Sequence, residues 1–216
     1  MARLTREQSR EVTREKLRAA AMSEFAVNGF GGTSIDRLCE VAGYSRGAFY
    51  ANYKNKEELL LDAVRSQHSQ EAENWIAILS GNEGLDVLLP RLEDRFCAYI
   101  ADHQRILFVT EIQLYALRNP EFTQSYEKEF FQLFSRVETL LAILFRKAGK
   151  VPHRPIPVLV EMLQALASGL SMDIEHVAKR AFTPGDILVD FLEDILALGH
   201  PVTSEIAEEL AGHPAG

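Results

Sequence analysis

GTSIDRLCEVAGYSRGAFYANYKNK, residues 32–56, reads as two short helices joined by a tight turn and followed by the start of a third. Thr33, three residues ahead of Asp36, is a variant of the capping box: the hydroxyl takes an orphan helix N–H, and the carboxylate favours the positive helix end. Ile35, Leu38, Cys39 and Ala42 then recur at helical spacing, so one face is buried while Asp36, Arg37 and Glu40 point outward. Gly43 ends that helix, since a glycine takes the left-handed conformation that turns the chain into the next. Ser45 caps a helix of about one and a half turns through Tyr50, too short to be stable alone. Phe49 is its inward anchor, which leaves Arg46, Gly47, Ala48, Tyr50 and Asn52 on or near the outward surface. Small residues at 47 and 48 let such a helix lie close to a groove, Arg46 has the fork that meets guanine, and Ala48 suits a thymine methyl. Asn55 with Glu58 repeats the cap and carboxylate. The layout is that of a helix-turn-helix DNA reader.

Upstream, residues 4–28 form a helix whose buried stripe is Leu17, Ala20, Ala21 and Phe25, and Asn28-Gly29 ends it. Glu7 with Arg10, Glu11 with Arg14 and Glu15 with Arg18 are spaced as i,i+3 pairs on a solvated face. Downstream, helical periods run from Asn55 to about Leu79, with Leu60, Val64 and Trp75 inward, then from Val87 to Ala101 and from about His103 to Leu117. The segment 120–148 carries Phe130, Phe134, Val137, Leu141 and Leu144 on one face. KVPHRPIP, 150–157, reads as a loop, because its prolines remove donors and clash with a helical path. A helix from Val158 to about Arg180 follows, rich in small residues. Thr183, with Pro184 and Asp186, caps a last main helix through Leu198. Ile187, Leu188, Phe191, Leu192, Ile195 and Leu198 are too many apolar residues for one face of an exposed terminal helix, which implies a partner surface.

The 216 residues are 47% apolar, enough for a buried core, and β-branched alternation is absent, so an all-α chain is expected. The net charge of −8 is unevenly spread: residues 1–66 hold 11 Lys and Arg against 9 Asp and Glu, whereas 67–216 hold 12 against 22. A weakly basic head on an acidic body suits a protein that docks end-on to nucleic acid. No window is apolar enough for a membrane span or a signal core, so the expected location is cytoplasmic, with no membrane partner. Cys39 and Cys97 lie on apolar faces of separate segments and read as packing. The motifs of a metal site, a phosphate loop or a nucleophilic triad are missing, so no metal, no cofactor and no enzymatic activity are expected.

Residues 25–60, FAVNGFGGTSIDRLCEVAGYSRGAFYANYKNKEELL, resemble the N-terminal signature of the tetracycline-repressor (TetR/AcrR) family of bacterial regulators. The resemblance is carried by Phe25, Gly29, Phe30, Thr33, Ser34, Ile35, Ala42, Gly43, Ser45, Gly47, Phe49, Tyr50, Tyr53, Lys54, Lys56, Glu57 and Leu59, in order and without a gap. It implies an N-terminal three-helix DNA-binding domain at 1–54, a ligand-binding and dimerisation bundle at 55–200, and a tail at 201–216 with one short helix around Ser204–Leu210. It further implies that Ser34, Ser45, Arg46, Gly47, Ala48, Tyr50, Asn52 and Lys56 face a double-stranded operator, with Thr33 and Tyr44 near its backbone. Tyr50 and Lys56 read as phosphate contacts and Arg46 as a base or phosphate contact.

In the resembled family the last two long helices of each subunit make a four-helix homodimer interface, which here implicates Ala165, Ser168, Gly169, Met172, Leu188, Phe191, Leu192 and Ile195. The family also holds a small-molecule effector in its C-terminal bundle. Trp75, Phe96, Tyr99, Phe108 and Glu111, with Tyr115, Tyr126, Phe130, Met162 and His176, supply the aromatic, thioether and polar groups that such cavities use. The expected function is a repressor released from a pseudo-palindromic operator by that effector. The alternative is an architectural or protein-regulated DNA binder of the same fold without an inducer.

Overall fold

A computed structural model describes residues 5–172 and 182–202. Among them the chain order is α1 (Arg6–Gly32), α2 (Ile35–Ala42), α3 (Arg46–Tyr50), α4 (Lys56–Leu79), α5 (Leu85–Ala101), α6 (His103–Arg118), α7 (Pro120–Lys147), β1 (Lys150–Val151), α8 (Ile156–Met172), α9 (Pro184–Ala197) and β2 (His200–Pro201). The fold is all-α, with an N-terminal helix-turn-helix followed by further helices. The expected short helix at Ser204–Leu210 lies outside the described residues.

Local chemistry explains most boundaries. Thr5 and Gln8 form a reciprocal capping box at the start of α1, and Thr183 with Asp186 forms another at the start of α9, where Pro184 takes the first helical position. Gly29, at φ +71°, breaks α1 at the expected place, and one further turn carries the chain to Gly32. α8 starts at Ile156 rather than Val158, because Pro157 falls in the first turn, where its missing N–H would have had no partner. The loop reading of 150–157 fails at its first two residues: Lys150 and Val151 pair antiparallel with Pro201 and His200. That partner lies some fifty residues away along the chain, beyond the reach of local pattern.

The described chain falls into two compact units. One joins the residues up to Glu71 with Asp102–Leu133; the other joins Ala72–Ala101 with the chain from Phe134 onward. These units do not follow a linear division at 54/55, because α6 and the start of α7 pack with the head. Leu17, Phe25, Leu38, Phe49, Leu59 and Phe108 lie in one buried cluster of the first unit. Leu88, Phe96, Leu141, Leu159, Leu188 and Leu192 lie in the cluster of the second.

Within the first unit one buried carboxylate ties three helical segments together. Asp62 of α4 accepts from Tyr53 Oη at 2.7 Å and from Arg18 Nη1 at 3.1 Å, and pairs with Arg14 Nη2 at 2.9 Å. The arginines of α1 do more than make the solvated i,i+3 pairs that their spacing suggests: Glu11 and Arg14 do pair, loosely at 4.0 Å, but Arg18 bridges Glu11 (2.7 Å) and Asp62. A buried carboxylate draws long cations inward because it must be matched. Burial alone would raise the Asp62 pKa, but the bonds from Tyr53 and Arg18 and the charges of Arg14 and Arg18 outweigh it and hold the group below the usual carboxylate value. The Tyr53 phenol shifts upward through burial first and then the Asp62 carboxylate.

Replacing Asp62 with Ala should cost about 2–3 kcal/mol in urea unfolding, below the range for wholly buried pairs because Arg14 keeps some solvent. Because the folded-state pKa of Asp62 is depressed, its contribution is present above the unfolded value near pH 4 and is lost as pH falls through the folded value. The urea midpoint of the parent protein should therefore fall with pH in that window, and Asp62→Asn should flatten part of the fall. An unchanged slope would remove Asp62 from the account.

Candidate nucleic-acid interface

The turn between α2 and α3 is built by backbone and caps. Ser34, not Thr33, caps α2: its Oγ accepts from the Arg37 N–H at 3.1 Å. Thr33 is only 3% exposed, and its hydroxyl donates inward to the Gly29 and Glu24 carbonyls at 2.8 and 3.2 Å. The capping role read for Thr33 is therefore corrected to the next residue, and its side chain is turned away from any ligand surface. Gly43, at φ +72°, ends α2 with its N–H on the Glu40 carbonyl at 3.1 Å while Tyr44 N–H reaches Cys39 at 2.9 Å. Ser45 caps α3 through the Ala48 N–H at 3.3 Å. Phe49 is fully buried, as the spacing predicted, with its ring 5.8 Å from that of Tyr53 and 5.3 Å from that of Tyr50.

With Phe49 inward, α3 presents Arg46, Gly47 and Tyr50 to solvent, with Ala48 half-buried beside them. Among the described residues, a Cβ on Gly47 would meet only Ser45 Oγ, at 3.7 Å. A helical glycine costs up to about 1 kcal/mol relative to Ala, and no packing contact among the described residues requires it here. Arg46 is held charged, its pKa raised by the Tyr50 hydroxyl and then by Asp36. Asn52 donates from Nδ2 to the Ala48 carbonyl at 2.8 Å and accepts from Arg10 Nε at 3.3 Å. Arg10, spaced to pair with Glu7, reaches Asn52 across 42 positions, a separation that leaves no local signal. Tyr44 is half-buried, with Lys16 Nζ 5.8 Å from its ring centre.

Lys56 departs from the expected phosphate contact. Its ammonium donates to the Phe30 carbonyl and, at 2.7 Å, to the Thr33 carbonyl, and lies 4.2 Å from the Phe30 ring centre. Burial lowers its pKa, against the charge of Glu57. The lysine closes the carbonyl end of α1, where a cation is favoured. Arg37 locks α2 to α1, with Nε and Nη2 on the buried Glu24 at 3.0 and 3.2 Å.

The residues nominated for an effector cavity divide between the units. Phe108, Glu111, Tyr115, Tyr126 and Phe130 belong to the first. Three of them brace the head: Phe108 is in its core, Glu111 accepts the Phe30 N–H at 2.8 Å, and Tyr115 donates to Glu57 at 2.5 Å. The Tyr115 phenol is pushed up to about 12 by burial and then Glu57. Trp75, Phe96 and Tyr99 gather in the second unit, at ring separations of 6.3–6.5 Å, whereas Met162 is exposed and His176 lies outside the described residues. An open groove of about 600 Å³ in the first unit, lined by Glu57, Leu61, Arg118, Pro120 and Phe122 among others, includes none of the ten.

The dimer residues divide as well. Leu188, Leu192 and Ile195 are 3–5% exposed within the protomer, so these three pack into its own core, whereas Leu198 is 61% exposed. Phe191 is half-buried. On α8, Ala165, Ser168, Gly169 and Met172 are exposed.

A short helix anchored by one buried aromatic, opened by an arginine and smoothed by Gly47 and Ala48, in a bihelical turn, defines a helix-turn-helix DNA-binding protein. Residues 17–63 match the family of bacterial regulatory proteins, tetR family. Over 173 residues, 80% of this chain and 86% of that protein, the sequence is 28% identical to the HTH-type transcriptional repressor AcnR of Corynebacterium efficiens. The fold is shared with the transcriptional regulator FadR of Bacillus subtilis in complex with stearoyl-CoA, at 16% identity and TM-score 0.66, covering 86% of this chain and 99% of that one. It is shared too with a transcriptional regulator from Saccharomonospora viridis in complex with choline, at 18% identity and TM-score 0.62, covering 85% and 95%. Residues 17–63 thus resemble the DNA-binding region of the tetR family of bacterial regulators, and most of the chain is similar to a transcriptional repressor that carries it.

Gly47→Ala should leave the melting temperature unchanged or slightly raised, by up to about 1 kcal/mol of helix propensity, while weakening DNA binding. Lys56→Gln should act in the opposite sense, lowering stability by about 1–2 kcal/mol through two uncapped carbonyls. Paired melts and gel-shift titrations of both variants check this; a Gly47→Ala protein that binds as tightly as the parent would show that α3 does not approach its target closely.

Proposed function

We propose that the protein is a homodimeric repressor that places two copies of α3 in successive major grooves of a pseudo-palindromic operator and is released by a small-molecule effector. The observation that carries the reading is the exposed face of α3, with Arg46 at its head and Gly47 bare beside it. Ser34, Ser45, Tyr50, Asn52 and Tyr44 surround that face, and Tyr50 supplies a hydroxyl for a phosphate. One five-residue helix reads few base pairs, so a twofold dimer, with half-sites one helical turn apart, supplies the remaining contacts.

Support for the dimer comes from α8. Val158, Met162, Ala165, Gly169 and Met172 recur at spacings of four and three along its exposed face, the pattern of a helix seam. Among the described residues, nothing lies within 4 Å of where a Gly169 Cβ would sit. The glycine weakens α8 without relieving a clash in its own protomer, as expected where a second backbone approaches. The seam reading replaces Leu188, Leu192 and Ile195 with Val158 and Met162.

For the effector, Trp75, Phe96 and Tyr99 are candidates that cluster within the second unit, and the Arg95 guanidinium lies 5.8 Å from the Trp75 ring centre. The aromatic walls and the cation suit an apolar or aromatic anion. Fold neighbours complexed with stearoyl-CoA and with choline make a small ligand in this architecture reasonable. Release requires only that the ligand bind one head spacing better than the other.

Selection of random duplex DNA with the purified protein should enrich a pseudo-palindrome, bound with a salt slope that reports phosphate contacts. Enrichment of nothing, or binding set by salt alone, would sink the reading. Gly169→Glu should yield a folded monomer by sedimentation and lose the enriched duplex, and a variant that stays dimeric would remove α8 from the interface. Aromatic carboxylates and acyl thioesters, added to the complex, should release the DNA; if none does, the regulator without an inducer stands.

A further inference from the structure

Arg46 is not free at the head of α3. Its Nη1 donates to both Oδ1 and Oδ2 of Asp36 at 3.0 Å. Asp36 sits in the first turn of α2, so the pair spans the leading ends of both helices of the bihelical turn. Both side chains are well exposed, 59% for Arg46 and 64% for Asp36, and an exposed pair of this kind adds little to stability. Its geometry is what matters. A guanidinium forks onto guanine O6 and N7 through two adjacent N–H groups, and the bonds to Asp36, both from Nη1, do not use the Nε–Nη2 edge, which can make that fork. The Tyr50 ring, centred 6.0 Å from the guanidinium carbon, stands beside the arginine. Gly47 adds no side chain between this edge and a groove.

The Asp36 charge has a second effect. A carboxylate on the rim of a DNA-facing surface is repelled by phosphates, and in any docked complex that repulsion must be offset by what Arg46 gains. DNA with the right base offsets it; other DNA does not.

We propose that Asp36 is a positioning residue for base readout: it holds Arg46 by Nη1 so that the Nε–Nη2 edge meets a guanine, and its charge disfavours duplexes that lack that guanine. This rests on the reading of α3 as the base-contacting helix.

The test uses the full chain and the half-site enriched from random duplex, with each base pair replaced in turn. The parent protein should prefer one guanine per half-site by about tenfold or more. Asp36→Asn should lose most of that preference at that position alone, and should bind random duplex as tightly as the parent or more so. Arg46→Lys keeps the ion pair but has no fork, and should lose the same preference. In an Arg46→Ala background, Asp36→Asn should change base preference no further. Melting curves run beside the titrations, and Arg46→Lys tests the fork even if Asp36→Asn folds poorly. A uniform loss over all duplexes, a retained guanine preference in Asp36→Asn or Arg46→Lys, or full additivity with Arg46→Ala would overturn the proposal. A parent protein that selects no sequence would sink the reading of α3 itself; one that selects a half-site whose guanine Asp36→Asn still prefers would sink only the role of Asp36.

Discussion

The bond from the Tyr53 hydroxyl to the buried Asp62 carboxylate is the constraint on which the reading surface depends. α3 has five residues, far fewer than the roughly 12–15 that an isolated helix needs in water. Its direction is therefore imposed from outside, by Phe49 in the core and by Tyr53 just beyond its end. Asp62 cannot hold Tyr53 unless its own charge is matched, which Arg14 and Arg18 do from α1. Three segments distant in sequence are thus committed to one arrangement by one carboxylate, and removal of any member leaves buried polar groups without partners.

The same logic extends to α6. The break in α1 at Gly29 frees the Phe30 N–H, and Glu111 of α6 accepts it; Lys56 of α4 closes the carbonyls of the same turn, and Tyr115 of α6 holds Glu57 beside that lysine. The end of α1, the start of α4 and the middle of α6 form one bonded corner directly behind the helix-turn-helix. A shift of α6 would cost this corner two partly buried hydrogen bonds, so the orientation of the head and the position of α6 belong to one equilibrium. The link is a property of these side chains.

Much of the fold was legible because its signals are local. Gly43, Ser45, Phe49 and the Thr183-Pro184-Asp186 cap act within a few residues of where they stand, and each does what its spacing suggests. The failures share a different cause. Thr33 and Ser34 are adjacent capping residues, and only the break at Gly29 decides that Thr33 turns inward. Lys56 sits at a helix start, where a solvated lysine is the ordinary reading, and the carbonyls it closes lie more than twenty residues upstream. Arg14 and Arg18 have acids at helical spacing, yet the acid that holds both is on α4. Leu188, Leu192 and Ile195 show that apolar content announces burial but not against what: the core that covers them is that of their own protomer. Glu111 and Tyr115 look like cavity residues because polar groups on apolar helices need partners, and those partners turn out to be the head itself.

The claim at the centre of this account is that two short, rigidly braced helices read one face of the duplex together. The most direct measurement is the affinity of the full chain for its enriched duplex as base pairs are inserted between the half-sites. An insertion of about five base pairs turns one half-site to the opposite face of the DNA and should abolish tight binding, while about ten should restore part of it. Affinity that is indifferent to the insertion would mean that the heads bind independently, and would contradict the paired arrangement.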